Sequence, residues 1–179
     1  MKNLQTLLIL MFCCFLAKAQ FPNPAIVGYW ENWGNLGGKF IPLKDVNDGY
    51  NVIHVSFASH IKGDDFNLEF DPSESGYDDD DFKNEIQQLQ SKGKKIFISI
   101  GGQNDPTMLD SEEERDIFIT SVGAMIDKWN FDGLDIDLEK SSLHFSEINI
   151  NTFGDIRLKY MIDAIKEIMS NYHSSHGKK

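Results

Sequence analysis

One nine-residue segment constrains this chain more than any other part of its sequence. Residues 131–139 read Phe-Asp-Gly-Leu-Asp-Ile-Asp-Leu-Glu, so that aliphatic and acidic residues alternate from Leu134 onwards. Successive side chains of an extended strand point to opposite faces. The alternation therefore predicts a strand in which Asp135, Asp137 and Glu139 share one face, while the aliphatic residues share the other.

The acidic face of this predicted strand indicates carboxyl groups that titrate together. Alternate residues of a strand lie roughly 6.6 Å apart, so these carboxylates repel one another when all of them are ionised. At least one is then expected to keep its proton near neutral pH. Glycosidic bond cleavage uses a proton donor beside a retained anion. The segment therefore favours a hydrolytic site.

Two other interpretations of the acidic segment involve no catalysis. A calcium-binding EF-hand loop needs glycine at its sixth position and polar residues in the gaps. This segment has Lys140 and aliphatic residues at those places. A solvated edge strand would not need a uniformly aliphatic second face, which is typical of a strand packed under helices. The catalytic interpretation is preferred over both.

The first residues of the chain predict export. Lys2 precedes an apolar run over residues 7–16, and Ala17-Lys18-Ala19 then gives the small-residue pattern of a cleavage site. Residues 1–19 are therefore interpreted as a secretory signal peptide, and residues 20–179 as a secreted, extracellular domain. The apolar run is shorter than the roughly 18 residues of a permanent span, so no membrane association is expected.

Removal of this segment also sets the charge and the thiol content of the mature chain. Both cysteines, Cys13 and Cys14, lie within it, which leaves no thiol chemistry. Loss of Lys2 and Lys18 leaves 15 basic against 28 acidic residues, a net charge of −13. A chain this acidic is not expected to bind nucleic acid.

Short apolar segments alternate with segments of helical periodicity along the rest of the chain. Strands are predicted over 25–30, 52–58, 96–100 and the acidic segment, and helices over 78–90, from Ser111, and over about 153–172. This alternation predicts an α/β fold whose parallel sheet carries catalytic groups at its carboxyl edge. Residues 99–102, Ser-Ile-Gly-Gly, lack nucleotide-loop spacing, so no cofactor is expected. No metal is expected either, since His173 and His176 have no further ligands nearby.

Four segments of the chain resemble one enzyme family. Residues 132–139 resemble the D-G-x-D-x-D-x-E signature of the family 18 glycoside hydrolases, the chitinases and their relatives. Residues 99–102 resemble the family's S-x-G-G motif, and residues 28–33 and 55–58 resemble its first and second strands. The resemblance covers essentially all of the predicted mature chain. It implies a (β/α)₈ TIM barrel, of which about the first four β/α units are present.

The resemblance also implies a reaction and roles for particular residues. Chitin or N-acetylglucosamine oligosaccharides would be cleaved at β-1,4 bonds by substrate-assisted retaining hydrolysis, with the substrate's acetamide oxygen as the nucleophile. Glu139 is implied as the general acid and then the base. Asp137 is implied to orient the acetamide, and Asp135 to share a proton with Asp137. Ser99 is implied to hydrogen-bond within this cluster, and Tyr29 to lie near the sugar.

Other residues beside these motifs have structural explanations. Asp132 has the opposite strand parity, so it is predicted to support the start of the strand. Trp30, Trp33 and Phe57 are either sugar-stacking platforms or core residues, and the core is the commoner place for aromatic residues in short strands.

The length of the chain conflicts with a complete barrel. Such barrels need about 250 residues, and this chain of 179 supplies four strand-helix units. Three explanations stay open: a fragment of a full chitinase, a half barrel that self-associates through its unpaired edges, or a short secreted protein without activity. The alternative function is accordingly a truncated, non-catalytic, chitin-binding chitinase-like protein.

Overall fold

Six strands and three long helices make up the described part of the chain. The computed structural model describes residues 23–33, 40–139, 142 and 155–177. The strands are β1 Val27–Glu31, β2 Val52–Ser56, β3 Ser59–His60, β4 Leu68–Glu69, β5 Lys95–Gly102 and β6 Gly133–Leu138. The helices are α1 Asp79–Ser91, α2 Glu112–Trp129 and α3 Ile156–His176, with short 3₁₀ helices at Leu43–Asp45 and Pro72–Ser75.

The order of the strands identifies the architecture. The main sheet has the order β1-β2-β5-β6, and all of its pairs are parallel. Strands β3 and β4 form a separate antiparallel hairpin. Each new strand of the main sheet is therefore added on the same side, whereas a doubly wound sheet reverses direction at a switch point. The prediction of a TIM-barrel type with about four units is confirmed.

One contact shows how strongly the main sheet curves. In a flat sheet, β1 and β6 would lie about 14 Å apart, because neighbouring strands are roughly 4.8 Å apart. The hydroxyl of Tyr29 on β1 nevertheless lies 3.0 Å from the Asp135 carboxylate on β6. Both side chains must therefore point into a concave surface, which is the interior of a partial barrel.

The outer face of the sheet packs under the helices. On β2 and β5, alternate apolar residues are almost fully buried, namely Ile53, Val55, Ile96, Ile98 and Ile100. They form one core with aromatic side chains of α1 and α2, including Phe82, Phe118 and Trp129. On β6, Leu134 and Leu138 pack against this core as predicted.

Strand β6 departs in one respect from the predicted aliphatic face. Ile136 remains 39% exposed, although it lies between two leucines that touch the core. Among the described residues, β6 pairs with β5 alone. A strand with a neighbour on only one side has less cover for its outer face.

The predicted helix signals are also present. The Ser111 hydroxyl accepts from the Glu114 backbone N–H at 3.2 Å, which caps α2 as the sequence predicts. The last predicted helix, about 153–172, corresponds to α3, which runs from Ile156 to His176, while residues 153 and 154 of that prediction lie outside the described residues. The β3–β4 hairpin was not predicted. The predicted signal peptide, residues 1–19, lies outside the described residues. None of the described helices is long and apolar enough to cross a membrane.

Candidate active site

The site begins with one carboxylate oxygen on the concave face of the sheet. Asp135 lies on β6 opposite Ser99 of β5, and the Ser99 hydroxyl donates to Oδ2 of Asp135 at 2.6 Å. The Tyr29 hydroxyl donates to the same oxygen at 3.0 Å. Nδ1 of His54, on β2, lies 3.2 Å from it. Side chains from the other three strands of the main sheet therefore converge on a single atom of β6.

These neighbours control the protonation of Asp135. Burial raises the pKa of Asp135, but His54, Ser99 and Tyr29 together lower it further, so that the net direction is below the ordinary value. Repulsion between carboxylates alone predicts the opposite direction. Donors focused on one oxygen stabilise its charged form, so Asp135 is not the carboxyl that keeps a proton near neutral pH.

The pKa of Tyr29 is shifted upwards, in the opposite direction to that of Asp135. Partial burial of the phenol, its hydrogen bond to Asp135, and the charges of Asp135 and Asp137 raise the pKa of Tyr29 to about 12. Tyr29 therefore remains a neutral hydrogen-bond donor across the physiological pH range. Asp137 is two residues from Asp135 along β6, so its side chain is expected on the same concave side of the sheet.

The last four residues of β5, Ser-Ile-Gly-Gly, end in two glycines that the structure requires. A Cβ on Gly101, at φ +117°, would lie 2.2 Å from the backbone oxygen of Asp137. A Cβ on Gly102, at φ +96°, would lie 3.1 Å from the Phe57 ring. Only glycine combines these dihedral angles with such close approach. The segment thus lets the acidic strand lie against β5 at the site.

The remaining acidic residues lie at the carboxyl end of β6. Asp137 is the backbone neighbour of Gly101. Glu139 follows the last residue of β6 and is exposed. The backbone N–H and the hydroxyl of Ser142 donate to the Glu139 carbonyl at 3.0 and 3.1 Å. This turn fixes the backbone of Glu139 at the open edge of the concave face.

The structural explanation of Asp132 agrees with its contacts. Its carboxylate accepts from Lys95 Nζ at 2.8 Å, from Gln90 Nε2 at 2.9 Å and from the backbone N–H of Ile96 at 3.2 Å. The side chain is only 4% exposed. Asp132 therefore ties the start of β6 to β5 and α1, at the end of the sheet away from Glu139.

The aromatic residues divide between the core and the concave face. Trp30 is buried against Phe82, with a ring-centroid distance of 5.9 Å. Trp33 instead stacks on Phe57 at 5.8 Å, and Phe57 contacts Tyr29 at 6.2 Å. Trp30 is thus a core residue. Trp33 and Phe57 extend an aromatic surface from Tyr29.

The sequence interpretation missed His54. Its ring makes an edge contact with Tyr29 at 5.0 Å and stacks on Phe97 at 5.7 Å. A signal was present, because His54 alternates with the buried Ile53 and Val55 and must therefore face the barrel interior. Within the described ranges, no group of three or more His, Cys, Asp or Glu side chains could hold a metal ion.

The partial barrel and its carboxylate cluster are those of a known class of hydrolase. Residues 25–176 match the family profile of the glycosyl hydrolases family 18. The chain is 36% identical over 158 residues to Chitinase D of Niallia circulans, and 37% identical over 162 residues to Exochitinase 1 of Streptomyces olivaceoviridis. The chain belongs to the glycosyl hydrolases family 18.

A solved structure shows the same relationship. A family GH18 chitinase from Chromobacterium violaceum superposes with a TM-score of 0.70 at 30% identity, over 82% of this chain and 37% of that one. The alignments cover 84% and 87% of this chain, but only 30% of Chitinase D and 27% of Exochitinase 1. The chain therefore spans less than half the length of these relatives.

Proposed function

We propose that this chain contributes the catalytic carboxylates of a secreted chitinase. Its substrate class is β-1,4-linked N-acetylglucosamine polymers and their oligosaccharides, and its reaction is substrate-assisted hydrolysis with retention. The observation that carries the proposal is the convergence of Tyr29, Ser99 and His54 on Asp135, in a chain of the glycosyl hydrolases family 18.

The proposed division of labour follows the order of the carboxylates along β6. Asp135 is held as an anion deep in the site by its three neighbours. Asp137, one step nearer the open edge, orients the substrate acetamide and stabilises the positive charge that forms on it. Glu139, the most exposed of the three, protonates the leaving oxygen and then activates water. Its position beside solvent suits a group that must exchange a proton in each turnover.

Replacing Glu139 tests this assignment. In the full chain, Glu139→Gln keeps the size of the side chain but removes its acid and base function. Hydrolysis of an N-acetylglucosamine tetramer should fall by about 10²–10⁴-fold, with binding of the sugar retained. Glu167→Gln, an exposed change on α3, removes the same charge away from the site and should leave hydrolysis unchanged.

Two results would contradict the assignment in different ways. Equal hydrolysis by the Glu139→Gln and original chains would remove Glu139 from the reaction. Sugar binding by the original chain without any hydrolysis would instead support the non-catalytic, chitin-binding alternative.

We further propose that residues 1–19 direct secretion and are removed. The support is the sequence pattern of Lys2, the apolar run 7–16 and Ala17-Lys18-Ala19. An exported protein whose first residue is Gln20 is the expected product, and an exported protein that retains Met1 would contradict the proposal.

The edges of the sheet support a proposal about assembly. In the described part of the chain, β1 pairs only with β2 and β6 only with β5. Unpaired edges invite pairing with another chain. We propose a second copy as the partner, because a twofold axis along the barrel axis places β6 of each copy beside β1 of the other. Eight parallel strands then close.

A further inference from the structure

His54 is held in one orientation by two aromatic rings. Its imidazole is nearly parallel to Phe97, with an interplanar angle of 6° and a centroid distance of 5.7 Å. On the other side, it meets Tyr29 edge-on at 88° and 5.0 Å. The side chain is only 13% exposed. These contacts on two sides restrict rotation of the imidazole.

The nitrogen that faces the site is Nδ1. This atom is buried and has no well-aligned hydrogen-bond partner among the described residues, while Oδ2 of Asp135 lies 3.2 Å away. An unprotonated Nδ1 would place a lone pair against an acceptor oxygen in a buried environment, which is unfavourable. The arrangement therefore favours a proton on Nδ1, in the neutral or the charged imidazole.

We propose that His54 is a positioning residue, which holds the Asp135 carboxylate towards β1 and β2 through a proton on Nδ1. Three donors from three strands then occupy the one Asp135 oxygen, Oδ2. The consequence for hydrolysis rests on the proposed function, whereas the coupling between the two side chains does not.

The coupling has to operate among the other groups that face His54. Tyr29 on β1 is a neutral donor over the relevant pH range. Strand β5 contributes the uncharged Phe97 and Ser99, and its Lys95 is paired with Asp132 below the site. Strand β6 contributes Asp135 and, one step further along, Asp137. The imidazole is thus the cationic group in contact with Asp135 whenever it is protonated.

The effect of His54 on Asp135 can be measured without any enzymatic assay. Carbon-detected NMR on the full chain follows the Asp135 carboxyl carbon through a pH titration. His54→Phe keeps a flat ring to stack on Phe97 but removes the donor. The Asp135 pKa should rise, because the variant lacks a neighbouring opposite charge. Such a charge typically lowers the pKa of a carboxyl by about one to three, so the protonation constant of Asp135 should change tenfold or more.

A second variant separates the donor from the charge. The amide nitrogen of Asn occupies nearly the place of Nδ1, so His54→Asn keeps a donor but cannot become charged. The Asp135 pKa should then lie between the values of the original chain and of His54→Phe. His173→Phe, an exposed change on α3, should leave the Asp135 titration unmoved.

The reciprocal measurement covers the case in which His54→Phe does not fold. The ¹⁵N chemical shifts of the His54 ring should show a proton on Nδ1 in the original chain, and Asp135→Asn should change the Nδ1 shift. A bare Nδ1 in the original chain, or an Asp135 titration that is the same in the original chain and in the His54 variants that fold, would overturn the proposal. If Asp135 and His54 are coupled but the chain releases no sugar, the proposed function is contradicted and the role of His54 stands. If the chain releases sugar but the two side chains are not coupled, the proposed function stands and the role of His54 is contradicted.

Discussion

At the scale of single residues, the main lesson concerns Asp135. Spacing along the strand predicted one face for Asp135, Asp137 and Glu139, and from this face it predicted only that the three carboxylates repel one another. Oδ2 of Asp135 is in contact with groups from β1, β2 and β5, and Tyr29 is 106 residues away in the sequence. Local periodicity contains no information on such contacts. The resemblance to a family supplied Tyr29 and Ser99, whereas only the structure supplied His54.

Ser99 tests how much the donors contribute to stability. Ser99→Ala removes the 2.6 Å hydrogen bond to Asp135 from a fully buried position. Hydrogen bonds to charged groups contribute about 1.5–3 kcal/mol, so the free energy of unfolding at pH 7 should fall by that amount. Urea denaturation measures the loss.

The same variant has a defined pH dependence. Because the pKa of Asp135 is lowered in the folded chain, its stabilising contribution is present above the unfolded value of about 3.9 and is lost as the pH falls through the folded value. The difference between Ser99→Ala and the original chain should therefore shrink below about pH 4. Ser91→Ala, on the exposed end of α1, is the control and should be nearly neutral. A pH-independent loss would contradict the role of Ser99.

At the scale of elements, most of the main sheet could be predicted and the hairpin could not. Strands β1, β2, β5 and β6 are short apolar or alternating segments, which give a periodic signal. Strands β3 and β4 have two residues each, too few for any period to be visible. The exposed Ile136 was also unpredictable, because edge position is a property of the sheet and not of the strand's own sequence.

The packing of β5 against β6 depends on one glycine. Gly101→Ala should cost roughly 1–2 kcal/mol for its positive φ, plus about 1–3 kcal/mol for the clash with the Asp137 backbone, a total loss of about 2–5 kcal/mol. Gly93→Ala is the matched control, since Gly93 also has a positive φ but open space around it. Urea denaturation should give Gly93→Ala the strain cost alone. Equal losses for the two variants would contradict the close approach at Asp137.

At the scale of the whole molecule, the main sheet is part of a barrel, and β1 and β6 are its edges within the described residues. The alternation of strands and helices predicted a parallel sheet, and the additive strand order resolves the choice between an open and a barrel-type architecture. The curvature could not be predicted from periodicity, because it depends on contacts across the concave face such as that between Tyr29 and Asp135.

Association of two copies is testable by sedimentation velocity. The full chain should sediment with twice its monomer mass at micromolar concentrations. Val27→Lys places a charge on the exposed edge strand β1 and should give monomers, since charged edges resist strand pairing. Ile156→Lys, at a similarly exposed apolar position on α3, should not. A monomer at every concentration would contradict assembly through the edges.

The configuration of the first sugar released tests the central claim most directly. Proton NMR of an N-acetylglucosamine tetramer, recorded in the first minutes after the full chain is added, distinguishes the two anomers before they interconvert. Substrate-assisted attack at a β-linked sugar with retention predicts that the reducing ends newly formed by cleavage are β-anomers in the first spectrum. An initial excess of the α-anomer, or no release of sugar at all, would contradict the account.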